Sequence, residues 1–221
     1  MDLLAADMSR DSAWLTLAIY AFILVLAVAT TQWSKLRESA DSNIFLATCA
    51  AIFLAWGLRA SVNPGLHLHF LGASILALMF GWHFAIIGGF LVLVGMVFWG
   101  HIDWLSLGAN GLLMSVIPAS VTYCIFLLAE WKLPENFFIY IFVSAFLGGI
   151  LSMLAVAGAT SWFLHHAGDV DWGTLSRGFI QFNMLMAFPE GFTTGLLISV
   201  FVVYRPEWVY TFRDSKYLKG K

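Results

Sequence analysis

Seven long apolar runs, separated by short polar segments, leave this chain few folds to choose from. They fall at about 13–33, 43–62, 67–82, 84–100, 109–130, 136–164 and 178–204 of 221 residues. Hydrophobic residues make up 61% of the chain and charged ones 11%, against roughly 25% charged in an average soluble domain. A soluble domain of this size has too little interior to hide that much apolar surface. Most of the runs approach the roughly 20 residues that a bilayer-crossing helix needs. The expectation is an all-α, polytopic transmembrane bundle of about seven spans, a single integral membrane domain over residues 1–221 with the lipid bilayer as its first partner. The third and fourth runs are short, and only Gly81, Trp82 and His83 separate them. They predict a tight turn or a pair of short, tilted helices. The sixth run is longer than a crossing requires, so its end beyond Ser161 is expected outside the membrane.

Charge placement sets the orientation. With the N-terminus outside, the inner segments carry Lys35, Arg37, Lys132, Arg205, Arg213, Lys216, Lys219 and Lys221, and the outer ones only Arg10, Arg59 and Arg177. Eight against three predicts an external N-terminus and a cytoplasmic C-terminus. The start, MDLLAADMSRDSAW, is acidic and lacks the basic region of a signal peptide, so the first run is expected as a retained helix. The tail YRPEWVYTFRDSKYLKGK mixes aromatic and basic residues as an interfacial anchor does. A net charge of −2 argues against a nucleic-acid partner. Cys49 and Cys124 lie singly in apolar runs and form no CxxC pair.

In this topology five of the six histidines emerge on the outer side, and only His83 faces inward. His67 and His69 enter the third run from a polar loop. His101 and Asp103 precede the fifth run, where Asn110 sits between Gly108 and Gly111. Imidazoles and a carboxylate at one mouth of a hydrophobic bundle suit a transition metal, though neutral imidazole takes zinc, copper and nickel alike. His67 and His69 point the same way only if Pro64-Gly65-Leu66 keeps the segment extended. Asn110 reads either as a helix cap or as a group orienting a ligand. His165 and His166, with Asp169 and Asp171, form a further polar loop whose plain reading is a solvated surface. Glu190 is the one carboxylate deep in a span, flanked by Pro189 and Gly191. An ionisable group there is a functional candidate by default. Met114, Met184 and Met186 could serve a soft cation, but at helical spacing they read first as packing. The glycine pairs at 88–89 and 148–149 allow close helix contact.

Three segments in order, PGLHLHFLGAS, GHIDWLSLGANGLLM and FPEGFTTGLLISVFVVYRPEWV, resemble the CbiM/NikM family. These are the membrane substrate-binding components of energy-coupling-factor transporters for cobalt and nickel. The matching positions are His69 before Leu71-Gly72-Ala73, then Leu107-Gly108-Ala109-Asn110, Glu190-Gly191 and Arg205-Pro206, within residues 43–209. The resemblance implies seven spans, a transmembrane coupling protein and ATPase subunits as partners, and the inner (cytoplasmic) membrane as location. It also implies a metal site completed by an N-terminal Met-His. This chain reads Met1-Asp2-Leu3, with no histidine before His67. Of the ligand set the resemblance implies, only His69 carries over, so His67, His101 or a carboxylate must stand in for the rest. A mixed imidazole–carboxylate set favours zinc or cobalt over nickel.

The expected function is therefore a permease-type component of a divalent transition-metal uptake system. His69 is the primary ligand, His67 and His101 its co-ligands, and Asp103, Asn110 and Glu190 orient them or line the path. The chain carries no Walker motif, nucleophile elbow or CxxCH and is expected not to be an enzyme. The competing expectation is a non-transporting scaffold or assembly subunit on the same fold. A haem oxidoreductase fits poorly, because its ligands belong inside facing helices and most histidines here end spans.

Overall fold

The computed structural model describes residues 2–36, 39–58, 60–63, 66–168, 170–213 and 217, the side chains of 39–40, 60–63 and 66–68 excepted. Arg37, Arg59, Pro64, Gly65, Asp169, Lys216, Lys219 and Lys221 lie outside the described residues. Seven helices account for most of the rest. They are α1 (Arg10–Thr30), α2 (Ser39–Gly57), α3 (Ala73–Phe80), α4 (Trp82–Phe98), α5 (Trp104–Lys132), α6 (Phe137–Ala167) and α7 (Trp172–Tyr204). Four of them, α1, α5, α6 and α7, are long and apolar enough to cross a membrane.

The second and third runs depart most from expectation, and the fifth and seventh helices start earlier than their runs, at Trp104 and Trp172. The run at 43–62 leaves helix at Gly57, and the chain forms a small antiparallel hairpin. Its strands, β1 (Ala60–Asn63) and β2 (Leu66–Leu68), pair Ser61 with His67. Pro64 disfavours helical backbone at Asn63, and β-branched Val62 fits a strand. Among the described residues the regular structure is thus helical except for this hairpin. The run at 67–82 is helical only over α3. Gly72 (φ 66°) starts α3 and Gly81 (φ 87°) ends it, both in backbone that only glycine adopts freely. The sixth helix continues past Ser161 to Ala167 without a break.

Small residues bring the helices together. A Cβ on Gly149 of α6 would lie 2.9 Å from Gly191 Cα of α7. Gly108 meets the α1 backbone at Leu17, Gly111 meets the Tyr20 ring, and Gly89 of α4 meets Ser115 of α5. In lipid, association rests on such close van der Waals packing rather than on a hydrophobic drive.

At the centre stands α3. All eight of its residues are buried. At 1.5 Å per residue it spans only about 12 Å, well under half of a roughly 30 Å hydrocarbon core. Both ends therefore stop inside the protein, where every orphan amide and carbonyl needs a partner that water cannot supply. At the far end, Tyr210 N–H donates to Met79 O at 2.7 Å and Thr211 N–H to Leu78 O at 3.3 Å. Thr211 Oγ1 donates to Leu78 O at 2.7 Å and contacts Tyr140 Oη at 2.6 Å. The tail is therefore partly built into the bundle, where it completes α3.

Candidate metal site

The opposite end of α3 gathers ionisable groups. Glu190, 2% exposed, accepts from Leu71 N–H on Oε2 at 2.9 Å and from Gly72 N–H on Oε1 at 3.0 Å. A carboxylate across two helix-N-terminal amides satisfies orphan donors and complements the helix dipole. Glu190 reaches that point from α7, which runs unbroken through Pro189. The sequence marks Glu190 as a candidate because it is charged and intramembrane. In the structure it holds the turn that presents His69.

His69 lies three residues before Gly72 and is 2% exposed. Its Nδ1 faces Phe70 O at 3.0 Å, and its Nε2 faces Asp2 Oδ1 at 2.8 Å. The Trp56 ring covers it, with centroids 5.2 Å apart, and Trp56 Nε1–H donates to Leu71 O at 3.0 Å. Both imidazole nitrogens therefore meet acceptors, which suits a proton or another cation between Nε2 and Asp2. Asp2 is 4% exposed and enters the bundle on a short N-terminal segment.

That segment is clamped at several points. Asn110, fully buried, accepts from Leu3 N–H at 2.9 Å and donates Nδ2–H to Leu3 O at 2.8 Å and to Ser106 O at 3.1 Å. Ala5 N–H donates to Asp103 Oδ2 at 3.1 Å, and Leu4 N–H to Asp7 Oδ2 at 2.7 Å. Ser9 N–H donates to Ala167 O at the end of α6 at 2.9 Å. Asn110 and Asp103 are thus brought to the site, but they grip the entering chain. Asn110 lies inside α5 and caps no helix.

The other candidates make different contacts or fall outside the described side chains. His101 is half-buried, its ring 4.9 Å from that of Trp99. The His67 backbone belongs to β2, and its side chain is outside the described residues. His165 and His166 close α6 with bonds to Val170 O and Trp162 O, and Asp171 Oδ2 accepts from Thr174 N–H to cap α7. Met114 is core, whereas Met184 is exposed. Among the described residues no three His, Cys, Asp or Glu side chains gather closely enough to hold one ion. The residue that sequence reasoning missed is Asp2. Its only signal was its place as second residue, where the resemblance implies histidine.

The helices and their buried polar centre define a multi-pass membrane protein. The profile described as CbiM, cobalt uptake substrate-specific transmembrane region, matches residues 7–208, and the chain belongs to that family. Two solved structures are similar in fold. The "Crystal Structure of an Truncated Transition metal Transporter" superposes with a TM-score of 0.78 at 22% identity, covering 92% of this chain and 99% of that one. The "Crystal Structure of an transition metal transporter" gives 0.77 at 22% identity, covering 90% and 92%. Comparison with curated proteins gave no match.

Proposed function

We propose that this protein is the substrate-binding membrane component of a divalent transition-metal uptake transporter of the energy-coupling-factor type. It would lie in the inner membrane with seven spans, its N-terminus outside and its C-terminus cytoplasmic. A coupling protein and ATPase subunits would supply the energy. The observation that carries this reading is the buried His69–Asp2 pair at the start of α3, in a chain of this family.

The imidazole Nε2 and the Asp2 carboxylate are one nitrogen and one oxygen donor already in contact. A divalent ion entering between them replaces the proton and satisfies both. Backbone atoms of the N-terminal segment and water would complete the shell. His67 and His101 remain candidate donors at the outer mouth. An N/O set of this kind suits cobalt or zinc better than nickel, which a planar nitrogen set would favour. Because Glu190 grips Leu71 and Gly72, it fixes the loop that presents His69, as groups behind a metal ligand commonly do.

Elemental analysis of detergent-purified protein, challenged in turn with cobalt, nickel, zinc and copper, tests the reading. The expected result is about one equivalent of one ion, lost in His69→Ala and reduced ~10- to 100-fold in affinity in Asp2→Asn, with both variants still folded but melting below wild type because each breaks a buried pair. Undiminished binding in both variants rejects the site. The competing scaffold reading predicts no retained metal under any challenge and stable co-purification of a membrane partner.

A further inference from the structure

The end of α6 carries two imidazoles that the buried site does not use. His165 and His166 close that helix, and both are exposed. Each has one ring nitrogen engaged. His165 Nδ1 lies 3.0 Å from Val170 O, and His166 Nδ1 lies 2.9 Å from Trp162 O. A carbonyl oxygen can only accept, so each Nδ1 carries the proton. In the neutral ring the lone pair then falls on Nε2 in both residues. Metal-bound histidines are commonly backed in this way, by an acceptor that fixes the tautomer and raises the basicity of the other nitrogen.

Adjacent residues of a helix point about 100° apart, which ordinarily separates such a pair. Here His165 leans onto the turn beyond α6 and His166 lies back along the helix, yet their ring centres are only 5.1 Å apart, with planes at 88°. That spacing has a meaning for metal binding. A nitrogen about 2.0–2.1 Å from an ion puts its ring centre roughly 3.2 Å away, so two imidazoles on one tetrahedral ion have centres about 5 Å apart. Both rings are also packed in place. Trp162 lies against His166 with centres 4.7 Å apart at 30°, and Trp172 meets His165 edge-on at 5.7 Å. The face of an indole favours a positively charged neighbour, such as a ring that carries a bound cation. Asp171, in the same connecting turn, adds negative charge, and its Oδ2 accepts from Thr174 N–H. Among the described residues no group of three His, Cys, Asp or Glu forms there, so water completes the shell.

We propose that His165 and His166 hold one divalent transition ion through their Nε2 atoms, at a site separate from the His69–Asp2 pair. Neutral imidazole suits zinc, copper and nickel, whereas calcium and magnesium take oxygen. The site itself stands on local geometry alone. Its role, a first stop for ions at the outer mouth, rests on the orientation proposed above. The next residue, Ala167, accepts from Ser9 N–H, so the ion would sit where α6 anchors the segment that carries Asp2.

Copper(II), the tightest binder among these ions, is the probe. It is titrated into detergent-purified His69→Ala protein, in which the buried imidazole is gone, and followed by equilibrium binding and electron paramagnetic resonance. One equivalent should bind, with splitting from two imidazole nitrogens. Adding His165→Ala or His166→Ala should each weaken binding ~10-fold or more and remove the two-nitrogen signal. Both side chains are exposed, so the variants should fold as the parent does. Unchanged affinity in either variant, or a one-nitrogen signal in the parent, overturns the shared ion. No copper bound by the His69→Ala protein overturns the site outright. The buried site is read separately, in protein that keeps His69 and carries both His165→Ala and His166→Ala, so the failure of one site leaves the other measurable.

Discussion

The two ends of α3 face the same problem and solve it with different chemistry. Both stop inside the protein, so each leaves unpaired backbone groups away from water. At the Phe80 end the remedy is neutral, with backbone amides of Tyr210 and Thr211 and the Thr211 hydroxyl, itself in contact with Tyr140 Oη. At the Gly72 end it is ionisable, with the Glu190 carboxylate on two amides and, beside it, His69 against Asp2. Neutral groups suffice to finish a helix, as the far end demonstrates. Buried ionisable groups are costly unless paired. Their concentration makes that end the candidate for holding a cation, and the neutral end serves as an internal control.

The largest break in that contrast is expected from Glu190→Ala. It removes the partner of two buried N–H groups, at about 1–3 kcal/mol each. Thermal unfolding in detergent should show a loss of about 2–6 kcal/mol, and metal affinity should fall with it. Glu190→Gln sharpens the test, since its amide can accept with one oxygen only. Stability should lie between wild type and Ala. The visible spectrum of bound cobalt should keep its shape while affinity drops ~10- to 100-fold. A changed spectrum would instead make Glu190 a direct ligand.

Asn110→Ala comes next. Asn110 grips both backbone groups of Leu3, so its loss should free the segment that carries Asp2. The expected cost is about 1–3 kcal/mol. Faster hydrogen exchange should be confined to the N-terminal segment and the start of α5. Metal affinity should fall ~10-fold through Asp2, as for other groups behind a ligand. Wild-type exchange at Leu3 would show that other contacts hold the segment.

Apolar run length and the few charges disclose a helical membrane protein, and the ordered short motifs disclose its family. They single out His69, Asn110 and Glu190 as a set, because each is polar where its neighbours are not. Their roles were hidden for a physical reason. Glu190 looks like an intramembrane charge until one sees that it bonds Leu71 and Gly72, 118–119 residues away. Asn110 looks like a cap until Leu3 is found 107 residues upstream. Hydrophobic periodicity reports which face a residue occupies and carries no information on such long-range partners. The brevity of α3 was equally hidden, since its apolar run continues through the turn at Gly72. Only the glycine backbone angles cut it to eight residues. Asp2 carries little signal of this kind, because an acidic residue near a chain terminus usually belongs to solvent.

The smallest effect belongs to the neutral end, and it decides whether the comparison holds. Thr211→Val removes one hydroxyl that serves Leu78 O and Tyr140 Oη, while the Thr211 backbone N–H still reaches Leu78 O. Leu78 O keeps a donor, so the cost is set by the orphaned Tyr140 hydroxyl, about 1–2 kcal/mol. Metal affinity measured by titration should stay within about two-fold of wild type, because one lost neutral hydrogen bond leaves the far end of α3 paired. If affinity instead falls as far as in Asn110→Ala, α3 acts as a rigid strut that couples its ends. The neutral cap would then belong to the metal-binding machinery rather than serving as its control.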